Sequence, residues 1–307
     1  MLGNPFAVDG RWYKAAFHVH TTDSDGKMSP AETAKLYADL GYDLVVMTDH
    51  GGTENLPDSL PGTLVMPGAE VTTDDGTHVV VLGLEKPGRF HEPAQVRDLF
   101  ERGQNGDVAL IIGHPYWSHL KLDGMMALTG YSAVEVFNTT CSRGIGRGFS
   151  DVHWDDMSDL GRNLWALAVD DCHRTDIDAG VAWTMIKLRQ PTRQGLLEAI
   201  HNGWMYASTG PVIHRIDVEN DKITVLCDPV RRIDFIAGPA AGWGQSCYNG
   251  ESFVLSRAAH TLAQGRNGYV RVQCVCPDGR RAWSNAFRVE NGRFVPWPQQ
   301  PYRWKRD

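Results

Sequence analysis

The feature that most constrains this chain is a series of short, uninterrupted apolar runs, several of which lead straight into a histidine or a carboxylate. Asp43 to Thr48, Thr63 to Met66, His78 to Leu84, Val108 to Ile112, Ala133 to Phe137, Trp165 to Val169 and Val181 to Leu188 lack the alternation of a half-exposed strand. They fit parallel strands buried on both faces. Helical segments lie between several of them. Ser29-Pro30-Ala31-Glu32 supplies an N-cap, a proline at the first helical position and a capping-box glutamate, and Gly41 stops that helix. Pro93 to Arg102 and Thr192 to His201 read as further helices, and Trp204 to Ser208 as a last strand. Repeated strand-helix units predict an α/β fold whose parallel sheet closes, or nearly closes, into a barrel.

From about Pro211 the pattern changes to short alternating strands. These are Ile213 to Val218, Lys222 to Leu226, Ile233 to Ile236, Phe253 to Ser256, Val270 to Cys276 and Ala282 to Val289, with hairpin-turn dipeptides at Asn267-Gly268 and Asp278-Gly279. The expected organisation is a barrel over residues 1–210 and a small all-β sandwich with a tail over 211–307.

Composition narrows the class. No apolar run approaches the roughly 20 residues of a membrane span, and Met1 to Gly10 lacks the basic and apolar regions of a signal peptide. The net charge of −7 argues against a nucleic-acid surface, and the short basic clusters Arg231-Arg232, Arg280-Arg281 and Arg303 to Arg306 read as solvated faces. Six scattered cysteines without an export signal are expected to be reduced thiols in the cytoplasm. The partner expected is a small-molecule substrate, with no nucleic acid and no membrane; the sequence does not set the oligomeric state.

The chemistry lies where histidines and carboxylates fall on the strands. His18 and His20 are two apart at a strand end, so both imidazoles project to one face. Asp49-His50 ends the next run, Glu70 follows Thr63 to Met66, His114 follows Val108 to Ile112, and Asp171 and His173 follow Trp165 to Val169. C-terminal strand ends converge on one mouth of such a barrel. A single strand-end histidine is more commonly a hydrogen-bonded structural residue than a ligand. Many imidazoles and carboxylates at one poorly solvated mouth, however, need a cation to offset the charge.

His18-x-His20, Asp25, Thr48-Asp49-His50, Glu70, His78, Gly113-His114-Pro115 and Asp171-x-His173 together resemble the motif set of the PHP (polymerase and histidinol phosphatase) superfamily over residues 12 to 187. Glu135 to Asn138, Trp154-Asp155, Ala168 to Asp171 and Ala282 to Asn285 resemble more loosely its carbaryl-hydrolase-like branch, which carries a C-terminal β domain. The resemblance implies a distorted (β/α)7 barrel with two or three divalent transition-metal ions. His18, His20, Glu70 and Asp171 would hold the first; Glu70, His78 and His114 the second; Asp25, His50 and His173 the third. Imidazole and carboxylate ligands without thiolate suit manganese, iron or zinc.

Two cations sharing a water lower its pKa enough to supply hydroxide at neutral pH and neutralise charge on the attacked centre. The leading expectation is therefore a phosphoesterase acting on a small phosphorylated molecule through a metal-bridging hydroxide. A carbamate or carboxylic ester hydrolase using the same cluster, or a non-catalytic metal-dependent binding protein, are the alternatives. Arg143, Arg147 and Arg174 are candidates to clamp a phosphate, with Gly144 to Gly148 as a lid loop. His153 and Asp155, with His119, are candidates for proton transfer or for supporting the ligands. Arginines lining the pocket would favour the phosphoester, and an apolar pocket built on Trp117 and Trp154 the carbonyl ester.

Overall fold

The computed structural model describes residues 3–239, 243–249 and 254–297. The first two thirds form β1 (Arg11–Ala16), α1 (Pro30–Asp39), β2 (Leu44–Met47), β3 (Leu64–Thr72), β4 (His78–Leu82), α2 (Pro93–Asn105), β5 (Ala109–Ile112), α3 (Leu122–Ala127), β6 (Tyr131–Asn138), α4 (Thr139–Ile145), α5 (Asp151–Asp159), β7 (Trp165–Val169), β8 (Trp183–Leu188), α6 (Arg193–Asn202) and β9 (Met205–Ser208). The remainder is β10 (Ile213–Glu219), β11 (Lys222–Val230), β12 (Arg232–Gly238), β13 (Gln245–Tyr248), β14 (Leu255–Thr261), β15 (Gly268–Val275), β16 (Arg281–Trp283), β17 (Phe287–Glu290) and β18 (Arg293–Phe294). None of the described helices is long and apolar enough to cross a membrane.

Local chemistry accounts for the helix ends. Ser29 Oγ accepts from the Glu32 amide at 3.4 Å while the Ser29 amide donates to Glu32 Oε2 at 2.9 Å, the reciprocal cap that the sequence predicts. Gly106 and Gly203 end α2 and α6 in the left-handed conformation.

Strands β1 to β7 lie side by side in chain order. Past their regular ends, β7 and β1 meet at the mouth: Asp171 N–H donates to His18 O at 3.0 Å and His20 N–H to Cys172 O at 3.2 Å. The sheet thus closes on itself where the ligand candidates lie. The core on its two faces includes Phe17, Val80, Ile111, Val134 and Leu167, all fully buried.

Two features depart from the all-parallel expectation. β4 runs antiparallel to both β3 and β5, and β8 runs antiparallel to β1 with β9 antiparallel to β8. The first has a direct cause. Only five residues, 73–77, join β3 to β4, too few for the crossover that a parallel pair needs. Reversal also explains why His78, at the start of its strand, reaches the mouth that the other strands reach at their ends.

The expected boundary at residue 210 is not a break in the structure. β16 pairs with β9 through Ala282 to Ser208 and Trp283 to Ala207, so the large sheet continues as β9-β16-β15-β12-β13. A separate sheet, β10-β11-β14, packs over it around Ile223, Val225, Phe235 and Val272. The C-terminal part is all-β, as expected, but one of its sheets is the barrel's own. Asn267-Gly268 is not a two-residue hairpin: it leads from β14 in one sheet to β15 in the other. The expected strand at Phe253 to Ser256 begins outside the described residues, as does most of the tail; the strand there is Leu255–Thr261.

Candidate metal centre

Strand alternation places Val19 and Cys172 in a core against α1, together with Tyr37 and Val45. Their neighbours His18, His20, Asp171 and His173 therefore turn the other way, into the mouth. His18 and His20 are buried, with their Nε2 atoms 3.1 Å apart. Each approaches Glu70 Oε2, at 3.4 and 3.3 Å, and Asp171 Oδ1, at 3.3 and 3.1 Å. His114 Nε2 lies 3.2 Å and His78 Nδ1 2.7 Å from Glu70 Oε1, and His50 Nδ1 2.9 Å from Glu70 Oε2. Farther out, Asp25 Oδ2 faces His173 Nε2 at 3.2 Å and His50 Nε2 at 3.6 Å.

All nine side chains singled out as ligands, His18, His20, Asp25, His50, Glu70, His78, His114, Asp171 and His173, thus converge. The donor atoms fall into four overlapping groups: His20, Asp25, His50 and His173; His18, His20 and Glu70; His18, His114 and Asp171; and His50, Glu70 and His78. The last pairing differs from the sequence-based grouping, which gave His50 to the third site alone. His50 stands between the inner and outer groups.

Several side chains fix these donors. Glu135 Oε1 holds His18 Nδ1 at 2.6 Å, and Glu135 Oε2 accepts from the His114 amide at 2.8 Å and from Asn138 Nδ2 at 3.0 Å. The same Asn138 amide donates to Asp171 Oδ2 at 3.0 Å. Asp49 takes no part in the cluster; it accepts from Thr21, Ser24 and Thr53 at 2.7 to 2.9 Å and so shapes the loop that carries Asp25. His173 Nδ1 donates to Asp171 O at 2.8 Å, which turns its Nε2 toward Asp25. His114 and Asp171 adopt positive φ, 27° and 52°, strain of the kind that accumulates at functional sites.

A cation fits this arrangement. Glu70 Oε2 and Asp171 Oδ1 are buried without a hydrogen-bond partner, although imidazole nitrogens face both. With His18 Nδ1 committed to Glu135, the neutral ring turns a lone pair inward. Lone pairs of His18 and His20 and two orphaned carboxylate oxygens then point at one another, a repulsive set that an ion converts into a ligand shell.

Protons are the only other way to offset the charge. Burial works against protonating His18, but Asp171, Glu135 and Glu70 outweigh it and hold its pKa well above the usual range. Asp25 and Glu70 raise His50 to about 9. The imidazoles in turn hold Glu70 and Asp171 well below the carboxylate range, against burial.

The cluster opens into a cavity of about 230 Å³ lined by Asp25, His50, Glu70, His78, His114, Asp171 and His173, with Trp117, Thr140 and Cys141. Trp117 is 40% exposed and sets its ring edge-on to His114, centroids 5.0 Å apart.

The four residues expected to serve catalysis lie outside this lining. Arg143 is exposed on α4. Arg174 bonds Asp178, with Nη2 3.2 Å from Oδ1. His153 packs its ring beside Tyr116, 6.1 Å between centroids, and burial lowers its pKa. Asp155 receives Arg271 Nε and Nη2, both at 2.6 Å, and Tyr269 Oη at 3.1 Å. It joins α5 to the C-terminal sheet. Nor is Gly144 to Gly148 a lid: Gly144 is in α4, and Gly146 is its left-handed cap. Trp154 is fully buried, its indole N–H on Leu164 O at 2.9 Å.

No protein-family model matches the chain, and no curated protein does. A solved structure is similar over nearly its whole length. It is a two-domain protein containing a predicted PHP-like metal-dependent phosphoesterase from Bacteroides vulgatus, with 15% identity, a TM-score of 0.51 and coverage of 92% of this chain and 95% of that one. The fold is PHP-like. At that identity the likeness bears on the fold alone. An amidohydrolase from Chromobacterium violaceum, solved with bound sulfate and no metal, covers 54% of this chain and 89% of that one at 17% identity; its TM-score of 0.35 is too low to carry an argument.

Proposed function

We propose that this PHP-like chain is a metal-dependent hydrolase acting on an ester bond of a small molecule. The observation that carries the reading is the buried meeting of His18, His20, Glu70 and Asp171 with two carboxylate oxygens left unbonded. His18, His20, Glu70 and Asp171 would hold one ion, Glu70, His78 and His114 a second, and Asp25, His50 and His173 a third. Manganese, iron and zinc all suit the donors. When bound, such ions supply Lewis acidity and acidify water.

The chain's own residues do the rest. Glu135 and Asn138 hold His18 and Asp171 in place before any ion arrives, so little reorganisation is left to the reaction. Thr140 donates its hydroxyl to Asp171 O at 2.6 Å and forms part of the cavity wall. Trp117 offers a flat apolar face to the non-reacting part of the substrate.

A phosphoester is the first reading, in keeping with the phosphoesterase named in the similar two-domain structure. A carboxylic ester or carbamate is the second. It is favoured by a cavity whose lining, among the described residues, includes Trp117 but neither arginine nor lysine, and by motifs resembling the carbaryl-hydrolase-like branch. Turnover of p-nitrophenyl phosphate, p-nitrophenyl acetate and an aryl N-methylcarbamate by metal-loaded protein separates them. Phosphate turnover alone removes the second reading, and turnover of only the carbonyl substrates removes the first. A fully loaded protein inert toward a broad ester panel would sink the hydrolase.

A further inference from the structure

The connection from β4 to α2, residues 83–92, doubles back across the loop that carries His50. Phe90 N–H donates to Gly51 O at 2.6 Å and Gly88 N–H to Thr53 O at 3.1 Å. The crossing leaves no room for side chains. Gly51 and Gly52 have φ of +69° and +107°, and a Cβ on either would lie 2.0 Å from His91 Cε1 or 2.2 Å from Gly88 O.

Arg89 sits at this crossing. Its Nη1 donates to Gly52 O at 2.8 Å and, more weakly, to His50 O at 3.4 Å; its Nη2 donates to Asp23 O at 2.7 Å. Asp23 in turn accepts from the amides of Glu54 and Asn55 at 2.8 and 2.9 Å. One guanidinium thus joins the main chain of the two segments that deliver Asp25 and His50. A planar fork of donors can serve several carbonyls at fixed angles, which a single ammonium cannot. Among the inner ligands, Glu70 and His78 stand on paired strands, and Glu135 and Asn138 hold His18 and Asp171. Of the outer ones, His50 is tied to Glu70 by a single bridge, and Asp25 stands on a loop with its side chain 52% exposed.

We propose that Arg89 is a positioning residue for the outer cation site, setting the separation of Asp25 and His50 from the strap behind them. The inference rests on the metal-centre reading above and extends it to a residue outside the ligand set.

The test is a titration of metal-stripped protein with Mn²⁺, free ion being followed by electron paramagnetic resonance. Arg89→Met keeps the stem and loses the donors; Arg89→Lys keeps the charge on a compact head. Wild type should take up three equivalents. Arg89→Met should weaken the last by about 10- to 100-fold, as loss of a ligand-orienting partner typically does, with the first two sites and the unfolding midpoint of metal-free protein unchanged. Arg89→Lys should fall between. A third-site affinity in Arg89→Met within about twofold of wild type overturns the inference. So does an equal weakening of all sites with a lowered metal-free midpoint, which would make Arg89 a general support of the fold. A wild-type titration that stops at two equivalents overturns the outer site itself, and it is read before any variant.

Discussion

Glu135 shows how a buried charge is used here. Its carboxylate is 1% exposed and touches His18, the His114 amide and Asn138 at once. A carboxylate desolvated to this extent is tolerated only with every oxygen bonded. Glu135→Gln would replace an acceptor of the His18 proton with a group that can also donate, releasing the ring's tautomer and orientation. We expect inner-site metal affinity to drop by about 10- to 100-fold, checked by equilibrium dialysis, while a circular dichroism spectrum stays native. This residue is legible in the sequence, as a lone acid inside the apolar run Ala133 to Phe137, but a carboxylate in mid-strand carries no sign that it supports ligands rather than the core. Arg174 and Asp155 show the opposite failure. They lie close in sequence to ligands or to motif residues, but nearness along a chain does not give direction, and Asp178 and Arg271 hold them elsewhere.

At the scale of elements, helix caps and strand positions were readable because each depends on neighbours in sequence. Strand direction was only half readable. A strand buried on both faces has no alternation to reveal which way it runs, but the five-residue link containing Asp75-Gly76 already required β4 to turn back. Helices α3, α4 and α5 escaped notice because each is short, at six, seven and nine residues, and packing rather than propensity stabilises such pieces. Helix α6 carries a testable feature at its last turn. His201 places Nε2 3.2 Å from Gly106 O and Nδ1 3.3 Å from Ser132 Oγ, the pattern of a neutral ring, and burial lowers its pKa to about 4. The folded pKa is below the unfolded one, so on acidification the unfolded chain takes up the proton first. Stability is therefore present above about pH 6.5 and is lost as pH falls toward 4, by about 3 kcal/mol. His201→Gln keeps both hydrogen bonds without the titration. Its urea midpoint should fall less between pH 7 and pH 5 than that of wild type, and an equal fall would contradict the assignment.

At the scale of the molecule, the sequence divided the chain where its periodicity changes, near Pro211, and the structure does not divide there. Composition reports which elements form, whereas pairing between β9 and β16 joins residues more than seventy positions apart and leaves no local trace. Trp283 is the link between the two parts. It is fully buried, it pairs with Ala207 in the sheet, and its ring stacks on Phe137 of β6 at 6.2 Å and leans on Phe149 at 6.4 Å. Phe137 immediately precedes Asn138, which orients Asp171. The Asp155–Arg271 pair repeats the attachment farther along α5, with Arg271 1% exposed over the Trp154 ring. Ending the chain at Gly210 would strip β9 of a partner strand, uncover Phe137 and leave Asp155 facing no cation. Asp155, already 25% exposed beside Arg271, would become solvated, so the larger loss is the buried Trp283, about 3–5 kcal/mol, together with the uncovered sheet edge. That is a large part of a typical domain's stability. We therefore expect residues 1–210 to be insoluble or to unfold without a cooperative transition. In the full chain, Trp283→Ala should lower stability by about 3–5 kcal/mol in urea. A soluble, cooperatively folding 1–210 fragment that loads metal normally would show the barrel to be self-sufficient and the shared sheet to be incidental.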